Sequence, residues 1–184
     1  MPNAYKVAVL GPIPRDHITT YEGTEVQKYG CVLYPVVALS TLLDEGSQII
    51  PVTHLRKVDQ EPVKKILSEF RFVDVSHITA DADQGDVIAL KYVDQKTRLE
   101  RQTAFMNPIV PADEKDILDS GAFVFVPVTD FEISLDTLKY IKANSQGAVI
   151  FDTHGPTNAR TRRGERLLQF WIDRDETLCF SPKE

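Results

Sequence analysis

The residues with the clearest chemical capacity lie in positions 5–18, which read YKVAVLGPIPRDHI. Asp16 is an acceptor for hydroxyl groups, and Gly11 is a point where backbone can approach a ligand closely. Before them, Val7, Ala8, Val9 and Leu10 form a short apolar run that Gly11 ends. That is the pattern of a strand buried on both faces in a parallel sheet. Ligands of open α/β sheets sit outside the carboxyl ends of strands, so a small molecule is expected at the turn after Leu10. Ile13 and Asp16 occupy the second and third glycine places of a Gly-x-Gly-x-x-Gly dinucleotide fingerprint. A phosphate cradle is therefore disfavoured, and a polyol held by Asp16 is the better chemical expectation. The plainer role for Asp16, stabilising a turn, stays open.

The other reactive side chains form no catalytic set. His17, His54, His77 and His154 are scattered without metal-ligand spacing and read as structural or exposed. No Gly-x-Ser-x-Gly occurs, and Cys31 is not in a nucleophile-elbow context. Asp81-Ala82-Asp83-Gln84-Gly85-Asp86 begins like a calcium loop, but its twelfth position is Tyr92, where a bidentate glutamate is required. It reads as a turn before a strand, and no metal site is expected. Arg160, Arg162, Arg163 and Arg166 read as a solvated helical face; the sharper alternative is a rim facing an anion.

Bulk properties narrow the class. The chain has 184 residues, 42% of them hydrophobic and 26% charged, which suits one soluble domain with a sizeable core. A net charge of −6 argues against a nucleic-acid footprint and against anionic membranes as partners. The sequence contains no apolar run of membrane-spanning length and no secretory pattern at its start. Cys31 and Cys179 read as reduced thiols, a disulfide between them being the less favoured alternative, so a cytoplasmic location is expected.

The elements that would position Asp16 follow from periodicity. Residues 16–29 read as a hairpin or an excursion from the main sheet, and 36–43 as a helix apolar almost all round and hence buried. A strand is expected over 48–52. Asp59 is expected to cap a helix with Pro62 near its start and Val63, Ile66, Leu67 and Phe70 on one face. Residues 87–93 and 98–105 form a hairpin about Asp94-Gln95-Lys96-Thr97, apolar on both faces of its first strand. Residues 113–119 read as a short helix and 123–126 as a buried strand. Ser134 caps a helix carrying Leu135, Leu138 and Ile141, and 148–151 is a further buried strand. A helix with Leu167, Leu168, Phe170 and Trp171 precedes a strand at 177–180. Strands separated by helices predict a mostly parallel sheet.

In this order the motifs resemble those of the ribokinase-like (PfkB) carbohydrate kinases. Gly11-Pro12-Ile13-Pro14-Arg15-Asp16-His17-Ile18 is similar to the family's opening, a first strand, a glycine and an aspartate a few places on. Tyr29-Gly30 before an apolar helix resembles the family's Gly-Gly-x-x-x-Asn stretch. Residues 72–78 (FVDVSHI) resemble its Gly-Val-Asp segment, and Phe151-Asp152-Thr153-His154 its Asp-Pro-Asn segment. The resemblance spans essentially the whole chain. It implies a three-layer α/β fold with a mostly parallel central sheet and a small β lid, formed by residues of about 18–29 and 87–105. Lid closure would keep water from a phosphoryl transfer.

The implied activity is ATP- and Mg-dependent phosphorylation of a hydroxyl on a sugar or nucleoside-like substrate, with a homodimer formed through the lid. Asp16, Gly30 and Gly11 are the implied substrate-side residues. Cys31 replaces the second glycine, Pro35 stands at the sugar-binding asparagine, and Val32, Leu33 and Tyr34 make that wall apolar. These departures motivate a second hypothesis, a non-catalytic ligand sensor or interaction protein on the same fold. Of the family's Asn-x-x-Glu, Ser181-Pro182-Lys183-Glu184 keeps only the glutamate. The anion hole, the aspartate base and the nucleotide site have no counterpart. Residues 1–184 are therefore expected to be the N-terminal portion of one domain, incomplete at the C-terminus and inert alone, with no catalytic residue of its own.

Overall fold

The structure, a computed structural model, describes residues 4–114, 116–129, 131–153 and 155. The expected helix over Leu167 to Trp171, the strand at 177–180, the arginine cluster, His154, Cys179 and residues 181–184 lie outside them.

The apolar run at 7–10 becomes β1 (Lys6–Leu10), the middle strand of a five-stranded sheet. Its neighbours are β4 (Gln48–His54) and β8 (Ala122–Phe125), flanked by β5 (Ile78–Thr79) and β9 (Ala148–Phe151), and every pairing is parallel. Strand alternation sends Ala8 and Leu10 to one face and Val7 and Val9 to the other. On the first face they meet Leu138 and Ile141 of α3 (Leu135–Asn144). On the second they meet Val36 of α1 (Leu33–Leu42) and Val63 and Leu67 of α2 (Lys57–Leu67). The result is three layers, helix, sheet, helix. Burying each of the larger of these side chains contributes about 1.5–3 kcal/mol, which fixes the face of β1 that each helical layer covers.

A second sheet of four strands stands apart from the first, in the order β3 (Glu25–Tyr29), β2 (Arg15–Thr19), β6 (Val87–Tyr92), β7 (Arg98–Ala104). Two antiparallel hairpins make it, joined by the parallel β2–β6 pair. Asp94 closes the second hairpin by accepting from Lys96 N and Thr97 N, both at 2.7 Å. No helix among the described residues is long and apolar enough to cross a membrane.

Several elements depart from the sequence expectation, each for a physical reason. The first hairpin, expected over 16–29, begins one residue earlier at Arg15, whose N–H donates to Asp86 O at 2.9 Å. Helix α1 starts at Leu33 and exposes Tyr34, Ala38 and Leu42; its outward side meets no second layer, so it is not buried all round. Asp59 does not cap α2. Arg56 takes the cap position, and Asp59 is buried inside the first turn with Pro62 further in. Among the described residues, 113–119 hold no α-helix. Ile117 N bonds Glu114 O and Ser120 N bonds Ile117 O, so i→i+3 bonding yields a 3₁₀ turn at Pro111–Glu114 and further turns. Strand β9 pairs along one side with β8 yet leaves Val149 and Ile150 exposed, so it is not the buried strand its composition predicts. The acidic loop serves the fold: Asp83 accepts from Lys57 N, and buried Asp86 accepts from Gln102 Nε2 and Met106 N, each at 2.7 Å.

Candidate functional site

The site is built by the inner face of the small sheet. Register sets Asp16 opposite Lys28 on one side and Ile88 on the other, with Leu90 opposite Glu100 and Tyr92 opposite Arg98. With a two-residue period these side chains share a face, while Arg15, His17, Gln27, Ala89, Lys91 and Leu99 belong to the opposite one. The inner face closes one side of a cavity of about 300 Å³. Cys31 and Tyr34 at the start of α1, and Val128 beyond β8, line the other side.

Besides Glu100, which accepts from Arg98 at 3.4 Å, Asp16 is the acid of this cavity. It lies in strand β2 rather than in the turn after Leu10, and its carboxylate accepts no hydrogen bond from the described residues. The turn-stabilising role is therefore not the one the geometry gives it. Burial pushes its carboxyl up to about 6, with the Arg98 guanidinium pulling the other way. Near neutral pH Asp16 is thus an ionised, under-hydrated acceptor.

Gly30 lies beside Asp16. A Cβ added there would stand 3.0 Å from Asp16 Oδ2, so any side chain at position 30 would press on the carboxylate. The Gly30 amide itself donates to Pro14 O at 3.2 Å. What this glycine supplies is clearance rather than a free donor. Gly11 belongs elsewhere: its φ is 149°, its N–H donates to Val52 O, and an added Cβ would stand 2.6 Å from Val126 O. The Val126 backbone fills the space that sequence reasoning assigned to a ligand, so close packing explains Gly11.

Two positions where a side chain replaces a glycine of the family pattern keep a glycine-like backbone. Cys31 has φ 50° and Phe72 has φ 69°, both in the left-handed region that costs a side chain about 1–2 kcal/mol. Burial, then the charges of Asp16, Glu132, Asp86 and Asp152, push the Cys31 thiol up, so it is held as a neutral thiol. Cys31, Tyr34 and Pro35 also border a second cavity, of about 500 Å³, against the carboxyl ends of β8 and β9 where Asp152 lies. The described histidines lie away from Asp16's face. His17 is exposed, His77 ends a 3₁₀ turn, and His54 is held by Thr79 Oγ1 at 2.7 Å and Asp113 at 3.3 Å. Among the described residues no group of three His, Cys, Asp or Glu is arranged to hold a metal ion.

Sequence reasoning missed Lys28, Arg98 and Glu100. The signal was present: the Asp94 turn fixes the hairpin register, which puts Arg98 and Glu100 on the face of Tyr92 and Leu90.

Neither a protein-family model nor a curated protein sequence matches the chain. Solved structures do. A pyrophosphate-dependent kinase in the ribokinase family superposes with a TM-score of 0.70 at 17% identity, over 88% of this chain and 54% of its own. The ribokinase of Cryptococcus neoformans, in complex with ADP, gives 0.64 at 14% identity over 82% and 51%. The ribokinase of Arabidopsis thaliana, complexed with ribose and ATP, gives 0.62 at 13% identity over 83% and 55%. The class is thereby defined: the chain has the ribokinase-like α/β fold, a mostly parallel central sheet with a small appended β sheet. It spans about half the length of the solved structures it matches.

Proposed function

We propose that this chain supplies the acceptor side of a kinase that phosphorylates a hydroxyl of a sugar or nucleoside-like polyol. The observation that carries the reading is the Asp16 carboxylate, which lines the cavity and accepts no hydrogen bond from the described residues. A polyol hydroxyl donates to Asp16, Gly30 leaves room for that approach, and Arg98 keeps the carboxylate ionised. The small sheet acts as the lid, and its apolar inner side chains Ile88, Leu90 and Tyr92 displace water from the bound hydroxyl. Leu99, on the lid's outward face, and the nearby Val93 are the exposed apolar side chains available to a second subunit.

The donor side is not built by the described residues. At the end of β1 the Gly11 amide is spent on Val52 O and the space is filled by Val126 O, so a phosphate group does not fit there. The fold leaves the donor open as well, since its neighbours include ribokinases with ADP or ATP and a kinase that is pyrophosphate-dependent. No step through ATP or Mg is assigned to this chain.

Isothermal titration of the full-length product with a panel of sugars, inositols and nucleosides tests the reading, followed by turnover assays with Mg-ATP and with pyrophosphate. Binding lost in Asp16→Asn, together with turnover, is the expected result. Binding without turnover on any donor would favour the sensor, for which Cys31 and Pro35 are the motivating residues. Absence of binding across the panel would refute both.

A further inference from the structure

The root of the small sheet is held by a buried carboxylate 44 positions from the residue it grips. Asp59, in the first turn of α2, is 3% exposed. Its Oδ1 accepts from Arg15 at 3.1 Å and from the Tyr29 hydroxyl at 2.8 Å. Its Oδ2 accepts from Arg56 Nε at 2.7 Å. The two oxygens thus divide the work, one to the small sheet and one to the body of the α/β domain.

Arg15 and Tyr29 are direct cross-strand partners, the first residue of β2 and the last of β3. Arg15 is further braced across the hairpin by two bonds to Gln27 Oε1, from Nε at 3.2 Å and from its terminal nitrogen at 2.7 Å. Asp16 follows Arg15 directly. In a strand, fixing the side chain of one residue on one face fixes the direction of its neighbour on the other. Burial and the bond to Asp59 also push the Tyr29 phenol up to about 12, so it remains a donor throughout the neutral range. The same turn of α2 takes a third tether, Lys57 N donating to Asp83 Oδ1 at 2.7 Å in the loop that leads to β6. A first-turn aspartate that served its own helix would accept from helical N–H groups; this one reaches across to another sheet.

We propose that Asp59 is a positioning residue, which through Arg15 and Tyr29 sets the angle of the small sheet to the parallel sheet and so holds Asp16 over the cavity. The functional weight of that angle rests on the polyol reading, but the clasp itself does not.

The experiment measures the angle directly, in the full chain and without ligand. Nitroxide labels are attached through ketone-bearing amino acids at Glu22, in the turn between β2 and β3, and at Lys65 on α2, which spares the native cysteines. The distance distribution between them is then read by pulsed electron resonance. The native distribution is expected to be narrow, to broaden and shift in Asp59→Ala, and to recover in part in Asp59→Asn, which keeps the shape and some of the bonds. Polyol affinity should fall about tenfold in Asp59→Ala, as expected when a small misplacement loosens a positioned group. An unchanged distribution in Asp59→Ala overturns the proposal. Should that variant fail to unfold cooperatively, Arg15→Gln and Tyr29→Phe each remove one link, and an unchanged distribution in both is equally decisive against it. A native protein that binds no polyol, yet shows the broadening, refutes the functional reading and leaves the clasp standing.

Discussion

Affinity for a polyol should titrate with the Asp16 carboxyl. Its value of about 6 means the ionised fraction rises from about 0.1 at pH 5 to about 0.9 at pH 7. A hydroxyl donates well only to the ionised form, so affinity should rise about tenfold over that interval and level off above pH 7. The sign follows from the cause: burial holds the proton on, and a bound hydroxyl replaces lost hydration and lets it go. Binding at pH 6 should therefore release a fraction of a proton. Titration calorimetry in two buffers of different ionisation heat measures that fraction directly. Asp16→Asn keeps the shape but loses the charge, and should weaken binding at pH 7.5 by about 1.5–3 kcal/mol, the usual contribution of a hydrogen bond to a charged group. The variant should also lose the pH slope. An affinity independent of pH in the native protein, or a slope that survives in Asp16→Asn, would refute the reasoning.

Three further outcomes are expected. Glu114 is fully buried with neither carboxylate oxygen partnered among the described residues, and burial, aided by the Asp113 charge, pushes its carboxyl up from 4.5 to about 8. Folding stability should accordingly be greatest, as far as this group is concerned, below pH 4.5, and should decline as pH rises toward 8, by about 3–5 kcal/mol in all. Urea unfolding at pH 5, 7 and 9 reads that decline, and Glu114→Gln should flatten it. Gly30→Ala should change stability by less than about 1 kcal/mol yet lower polyol affinity about tenfold, because its Cβ displaces Asp16. Equal affinity in calorimetry would remove Gly30 from the site. Ser134 accepts from Thr137 N at 3.1 Å as the cap of α3, and Ser134→Ala should cost about 1 kcal/mol by thermal unfolding.

What the sequence could determine was local. The run at 7–10 fixed a buried strand because four consecutive apolar residues suit only a two-sided environment. Of the four residues expected on one face of α2, Val63 and Leu67 are buried while Ile66 is exposed and Phe70 lies beyond the helix end; Ser134 marked the start of α3, since helical period and capping are properties of adjacent turns. The hairpin about Asp94 was legible for the same reason. The placing of the Arg98 charge near Asp16 was not, because it depends on the register of three strands, β2, β6 and β7. Nor was Asp59: composition and spacing make it a helix cap, and only the crossing of α2 beneath the first hairpin turns its carboxylate toward Arg15 and Tyr29. Cys31 and Phe72 show the same division in the backbone, each held at a positive φ that its own side chain disfavours. Local preference is worth about 1 kcal/mol per residue, whereas the packing of two layers against β1 is worth many times that. Where the two disagreed, the packing decided.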